Sequence, residues 1–264
     1  MSRILRIAFG RAVLEVKASL RNGQSLGFTL LFPIVMLVLF ASIFSGKIDN
    51  TTVSVGQYYV AGILGSSVMS TGFVGTAIGV AFDRENGLLK RLAGTPMPKA
   101  SFFLGRLIAV FLLVASQAVI LLCLGVGFYH LHLPSSVGRW FTFVWVFVLG
   151  TLTSTLLGLA IGGRIRNAKA APAVVNLPFI VLQFISGVFL PFNQMPKTLQ
   201  TISGFFPLRW LSQGMRSVFL PDSYQAVEQG MTWDHTRMFI TLVIWLAIGS
   251  LLCLTTFKWV DERK

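Results

Sequence analysis

The charged residues of this sequence are most densely clustered between positions 83 and 106. Glu85, Lys90 and Arg91 lie within this stretch, and their carboxylate, ammonium and guanidinium groups form ion pairs and charge-assisted hydrogen bonds. Such groups bind either an oppositely charged protein surface or the head groups of anionic lipids. The chemistry available to this stretch is therefore binding, and the residue types leave both partners open.

The same stretch has the pattern of a short amphipathic helix over residues 85–92. Its leucines fall on one side of such a helix, and the charged residues take the other side. Thr95 and Pro96 are expected to stop the helix, because proline cannot continue a helix and restricts the residue before it. Gly87 carries no side chain, so it permits another surface to approach closely.

The rest of the sequence has the composition of an integral membrane protein. Hydrophobic residues make up 54% of the chain and charged residues 12%, whereas roughly a quarter of the residues in a soluble domain are charged. Six segments are apolar and long enough to cross a bilayer as helices, which predicts an all-α membrane protein. The predicted spans are residues 26–44, 58–82, 107–128, 140–161, 170–190 and 238–257.

Basic residues are distributed unequally between the two sides of these spans. With the N-terminus inside, sixteen of the 22 Lys and Arg residues are cytoplasmic and six are external. This asymmetry follows the positive-inside rule, and it predicts that both termini are cytoplasmic. Topology accounts for the net charge of +13, so a nucleic-acid partner is not needed to explain it.

Residues 1–25 are expected to form an amphipathic helix on the cytoplasmic surface of the membrane. Apolar residues recur at helical spacing on one face from Leu5 to Leu20, and basic residues group on the other face. A helix of this kind either contacts a partner protein or binds anionic lipid. Both interpretations remain open from the residues alone.

Five polar residues inside the predicted spans are candidates for a translocation path. Ser66 and Ser70 are separated by one helical turn, so their hydroxyl groups share one face of the second span. Asn176, Gln183 and Ser186 share roughly one face of the fifth span. Amide groups are costly in hydrocarbon unless they are paired, so these side chains are expected to face protein or water. A path or a dimer interface is predicted there, with internal packing as the alternative.

Small residues in the spans predict places where helices pack closely. Two GxxxG patterns occur, at residues 75–79 and 158–162. Glycines at this spacing let the backbones of neighbouring membrane helices approach each other.

The external segment 191–237 is too apolar for a simple linker. Apolar residues at helical spacing predict two short helices, one on either side of Pro207. These helices either dip into the outer leaflet as a lid over a central cavity or form a surface cap that stabilises the fold.

Several kinds of chemistry have no residues to support them. The sequence contains no GxxxxGK[ST] loop for nucleotide phosphates and no HExxH metal motif. None of the six predicted spans contains Asp, Glu, Lys, Arg or His, which argues against proton coupling and an intramembrane protease. His130 and His132 lack a third ligand nearby in the sequence, so no metal site is predicted. Neutral oxygen ligands for sodium remain available in the spans.

Two stretches carry a resemblance to a known family. The residues DRENGLLKRL at 83–92, TP at 95–96 and FLGR at 103–106 resemble the cytoplasmic signature of type-2 ABC exporter permeases. The residues PLRW at 207–210 are similar to the segment that precedes the last span in that family.

The resemblance implies a dimer, of identical or different chains, whose cytoplasmic loop at 83–101 docks onto a separate ATP-binding subunit. ATP and Mg would then be bound by that partner, and this chain would have no ATPase site of its own. The implied cargo is an amphipathic drug, antibiotic or lipid; a polysaccharide or glycolipid exporter and a non-transporting membrane scaffold are the alternatives. The residues implied in coupling to the ATPase are Glu85, Gly87, Leu88, Lys90, Arg91, Leu92, Thr95 and Pro96.

Overall fold

A computed structural model describes residues 3–21, 23–44, 46–48 and 51–257, and this part of the chain is helical, without a β-strand. The all-α prediction is therefore confirmed. The α-helices are α1 Arg3–Arg21, α2 Gly23–Ile43, α3 Val55–Met69, α4 Thr76–Glu85, α5 Leu88–Ala93, α6 Lys99–Tyr129, α7 Val137–Gly162, α8 Ala171–Ile185, α9 Lys197–Ser203, α10 Pro207–Phe219 and α11 His235–Thr256. A π-helix, Ser70–Gly75, joins α3 to α4, and 3-10 helices occupy Ala168–Ala170, Phe192–Gln194, Asp222–Val227 and Gln229–Met231.

Five helical segments of the described chain are long and apolar enough to cross a membrane. They are Val55–Glu85, Lys99–Tyr129, Val137–Gly162, Ala168–Ile185 and His235–Thr255. The first predicted span falls in α2, where the apolar stretch Thr29–Ile43 is shorter than the other five. The predicted count of six spans therefore stays a prediction.

The core of the bundle forms where α3 and α10 lie between the other helices. Every residue of α10 is buried, and α10 packs against α3, α7 and α11. Gly65 of α3 lies against the backbone of Leu211 and Ser212, where an added Cβ would clash. The alternative of a surface cap is wrong for this helix, which is inserted into the bundle, and the alternative of a lid stays a prediction. Leu199 and Ile202 of α9, in contrast, are exposed.

The two GxxxG patterns have different roles. Gly158 lies against backbone oxygens of the π-helix, and Gly162 lies against the backbone of Ala77 in α4. Close helix packing is thus confirmed for residues 158–162. It is wrong for residues 75–79, because Gly75 is exposed and Gly79 contacts the guanidinium of Arg106.

Two predicted boundaries are wrong. The short cytoplasmic helix begins at Leu88 rather than Glu85, because α4 continues through Glu85 and Gly87 then adopts a left-handed conformation with φ of 72°. The helix ends at Ala93, before Thr95 and Pro96. The fifth span ends at Ile185 rather than residue 190, and Gly187, with φ of 72°, follows that end.

Candidate coupling surface and membrane cavity

Helix α5 presents a basic face to solvent and an apolar face to the protein. Leu89 is only 1% exposed and packs in a cluster with Val80 and Phe102. Leu88 and Leu92 are half-buried. Lys90 and Arg91 are exposed, as are Thr95 and Pro96. The buried leucine fixes the helix, so the exposed residues form a rigid basic surface.

Helix α1 lies beside this surface and is packed along α6. Ala8 and Ala12 are buried in that contact, and Gly105 of α6 permits the backbone of Ala8 to approach. Arg11 of α1 stacks over the ring of Phe102, with its guanidinium carbon 4.5 Å from the ring centroid. Leu89 of α5 belongs to the same buried cluster as Phe102.

An ion-pair network joins α1 to α6 and to the end of α4. Arg106 of α6 lies 3.0 Å from Glu15 and 3.5 Å from Asp83, and Glu15 also pairs with Arg11 at 3.1 Å. Burial lowers the pKa of Arg11, and the carboxylate of Glu15 opposes that effect. Arginine remains charged at neutral pH because its ordinary pKa exceeds about 12. The network thus pairs two cations with two anions.

A small cavity in the membrane region brings together three of the five predicted path residues. Ser66, Ser70 and Gln183 line it. The amide nitrogen of Gln183 donates a hydrogen bond to the Ser66 hydroxyl at 2.6 Å, and both side chains are buried. Apolar residues from α2, α3 and the turn after α8 complete the lining, which contains no charged side chain: Phe32, Pro33, Met36, Ile63 and Phe189, together with Ser67.

The other two predicted path residues lie elsewhere. Asn176 is half-buried on α8 and does not line the cavity. Ser186 is fully buried at the end of α8, and its hydroxyl has no hydrogen-bond partner within the described chain. The structure therefore brings three of the five residues together at one mostly apolar cavity and places the other two outside it. A role in translocation remains a prediction for all five.

The sequence of this chain matches a known protein family. The ABC-2 type transporter family matches residues 12–220, which include α5, the cavity and α10. The chain belongs to this family. The predicted membership among type-2 ABC permeases, with several membrane-spanning helices, is therefore confirmed.

Individual relatives share only about a quarter of their aligned residues with this chain. The "Probable multidrug ABC transporter permease YbhR" of Escherichia coli K12 is 25% identical over 175 residues, which are 66% of this chain and 45% of YbhR. The protein ycf38 of Porphyra purpurea, named as a transport permease, is 26% identical over 85% of this chain and 75% of its own length. YvfS of Bacillus subtilis, also named as a transport permease, is 22% identical over 89% of this chain and 91% of its own length. This ABC-2 chain thus spans less than half of YbhR and most of YvfS.

The sequence patterns of this ABC-2 protein did not predict two polar features that the structure shows. The first is the π-helix Ser70–Gly75, which interrupts the second span. The Thr71 hydroxyl donates to the side-chain oxygen of Gln117 at 2.8 Å, and the Gln117 amide donates to the carbonyl of Thr29 at 2.8 Å. These bonds connect three helices at membrane depth. π-Helices often occur at functional sites, and the small and β-branched residues of this stretch were the available signal.

The second missed feature is a buried ion pair in the external segment. Arg216 of α10 is 0% exposed and pairs with Glu228, whose side chain is 2% exposed, at 2.5 Å. Arg216 also donates to the Gly187 carbonyl at 3.0 Å, and Tyr58 donates to the same oxygen at 2.5 Å. Burial is the largest single effect and lowers the pKa of Arg216, but Glu228, Tyr58 and Tyr224 together outweigh it and the pKa is raised overall. The pair ties α10 to the end of α8.

Metal chemistry finds no support in the described residues. No group of three His, Cys, Asp or Glu residues is placed to hold a metal ion within the part of the chain that the structure describes.

Proposed function

We propose that this chain is the membrane-spanning subunit of an ATP-driven exporter and that a separate ATP-binding subunit docks on α5 and α1. The observation that carries the proposal is the rigid basic surface of α5, in which Lys90 and Arg91 are exposed while Leu89 is anchored in the protein. The partner binds ATP and Mg. Two such chains, identical or different, form the transporter in a bacterial plasma membrane, with both termini cytoplasmic.

The proposed cargo is an amphipathic drug, antibiotic or lipid. The lining of the cavity supports this class because it is mostly apolar, contains no charged residue and includes a hydrogen-bonded hydroxyl and amide pair, Ser66 and Gln183. The cavity has a volume of about 10 Å³, which is room for about one water molecule, so the helices must move apart before such a cargo can enter. The name of YbhR as a multidrug permease supports the same class. ATP-dependent closure of the partner would favour one conformation of the bundle, and the shift is limited by the partner's preference between the two conformations.

A pull-down from gentle detergent tests the docking surface. Wild type is expected to bring down an ATPase whose hydrolysis is stimulated by amphipathic compounds. Arg91→Glu reverses the charge of the exposed face, so the recovered ATPase should fall by about tenfold. Lys197→Glu is the matched control, since Lys197 is also exposed but begins α9 in the external segment.

Two results would contradict the proposal. Recovery of no ATPase with wild type would remove the energy source. Equal recovery with Arg91→Glu and Lys197→Glu would show that the α5 surface is not where the partner binds.

A further inference from the structure

Three consecutive charged residues at the cytoplasmic end of α4 each bond to a different part of the molecule. These residues are Asp83, Arg84 and Glu85, and they directly precede the turn at Gly87 that leads into α5. Successive residues of a helix project about 100° apart, so three in a row face three neighbours. The end of α4 is therefore in polar contact with several helices at once.

Asp83 connects α4 to α6 and, through Arg106, to Glu15 of α1. Arg84 donates a hydrogen bond to the carbonyl of Gly163 at the C-terminal end of α7. The first contact holds α4 to α6, which packs against α1, and the second holds α4 to α7, which packs against α4 itself.

Glu85 makes the contact that reaches α8. Its carboxylate accepts a hydrogen bond from the backbone N–H of Ala168 at 2.7 Å. Ala168 begins the 3-10 helix that runs directly into α8. Beneath this bond, Ala81, Ala168 and Ala171 form a cluster that is fully buried. A charge-assisted bond above a tight apolar contact gives α4 and the start of α8 a defined relative position.

Helix α8 carries Gln183, whose amide lies 2.6 Å from the Ser66 hydroxyl in the cavity. A continuous set of contacts therefore runs from α5 through Glu85 and Ala168 to Gln183. Asn86, next to Glu85, is exposed, and no side-chain hydrogen bond to it is seen in the described chain.

We propose that Glu85 is a positioning residue that transmits movement of α5 to α8, and thereby to Gln183, rather than a residue that contacts the ATPase. This inference rests on the proposed function, because movement of α5 requires a docked partner. It separates two neighbouring roles: Lys90 and Arg91 bind the partner, and Glu85 links the bound helix to the cavity.

Hydrogen exchange of the purified chain in detergent tests the bond without any partner. Glu85→Ala removes the acceptor, so a peptide covering residues 163–171 should gain one amide, that of Ala168, that exchanges about tenfold faster than in wild type. Glu85→Gln keeps a side-chain carbonyl oxygen as acceptor and should stay near wild type. Asn86→Ala is the control, and its exchange in this peptide should not change.

The transmission role is tested in the complex with the co-purified ATPase. Glu85→Ala should still bring down the ATPase, but the stimulation of hydrolysis by amphipathic compounds should fall at least about fivefold. Glu85→Gln should restore most of that stimulation, and Asn86→Ala should match wild type. Arg91→Glu, in contrast, should lose the ATPase itself.

The outcomes separate the alternatives. Loss of the ATPase with Glu85→Ala, as with Arg91→Glu, would make Glu85 a partner contact and overturn the inference. Unchanged exchange at 163–171, or unchanged stimulation, in Glu85→Ala would also overturn it. If wild type recovers no ATPase, the proposed function fails and the transmission role with it, while the exchange result still shows whether Glu85 holds Ala168.

Discussion

Arg216 and Glu228 are charged residues in a part of the chain where charge is expensive. Both side chains are almost fully buried, and one guanidinium nitrogen and one carboxylate oxygen have no hydrogen-bond partner in the described chain. A buried pair of this kind adds little net stability, because desolvation offsets the attraction. Removing one member, however, leaves an uncompensated buried charge. The pair therefore fixes the position of α10 against Gly187 rather than adding net stability.

Single substitutions in this pair should destabilise the protein strongly. Arg216→Ala or Glu228→Ala is expected to lower the melting temperature in detergent by about 5–10 °C, because each isolates a buried charge. The double substitution Arg216→Met with Glu228→Leu should cost less than either single change. Arg139→Ala is the control, since its pair with Asp222 is well exposed and worth about 1 kcal/mol or less. Single variants that melt like wild type would mean that the pair is not buried.

The sequence predicted the polar residues of the cavity but not the Arg216–Glu228 pair, and the difference has a physical reason. The cost of unpaired amides in hydrocarbon selected Gln183, and the one-turn spacing from Ser70 selected Ser66. The two side chains bond each other across 117 positions. Arg216 and Glu228 were assigned to an external segment because no pattern linked them. Their pairing depends on how the chain between them folds back, and local spacing carries no information about that.

Helices α4 and α7 pack with their backbones close together. An added Cβ at Gly162 would clash with the backbone of Ala77, which cannot move aside as a flexible side chain could. The Arg84 side chain of α4 donates a hydrogen bond to the carbonyl of Gly163, the residue after Gly162, and so stabilises the same contact between α4 and α7. The close approach and the polar contact at the end of α4 therefore depend on one another.

Gly162→Ala should separate these two helices. We expect a lower melting temperature and reduced yield of folded protein, because the new methyl group must push α7 away from α4. Gly138→Ala in the same helix is the matched control, since nothing lies within 4 Å of its added Cβ, and alanine favours a helix over glycine by up to about 1 kcal/mol. Equal stability of the two variants would contradict the close contact.

At the scale of helices, the long uncharged segments were predictable and the interruptions were not. Helices α6, α7 and α11 follow directly from uninterrupted apolar runs. The start of α5 was misplaced because amphipathic spacing continues smoothly through Glu85, while the break depends on the left-handed backbone at Gly87. Helix α10 resembled a surface helix because it is rich in polar residues. Its buried Ser212 and Gln213 are instead bonded to Gly62 and Trp233.

The whole molecule has two polar ends that match the predicted sides of the membrane. At one end, Arg106 of α6 pairs with Glu15 of α1 and Asp83 of α4, and Glu85 of α4 accepts a hydrogen bond from Ala168. At the other end, the Gln57 amide donates to the His130 carbonyl, and Arg139 pairs with Asp222. Each set joins only segments that were assigned to the same side. Lys47 forms a β-bridge with Ser54 and so belongs to the second end.

Cysteine accessibility should establish this topology and the number of spans. In a chain carrying Cys123→Ser and Cys253→Ser, single cysteines at the exposed positions Lys47, Thr95 and Lys197 can be labelled with a membrane-impermeant maleimide. Lys47→Cys and Lys197→Cys should react in intact cells, because both lie at the external end. Thr95→Cys should react only after permeabilisation, since it follows α5. Labelling of Lys47→Cys only after permeabilisation would contradict the placement of Lys47 beside the start of α3 at the external end. A single cysteine on α1 at the exposed position Leu14 decides whether α2 crosses the bilayer. Leu14→Cys should react only after permeabilisation, and its reaction in intact cells would reduce the six predicted spans to five.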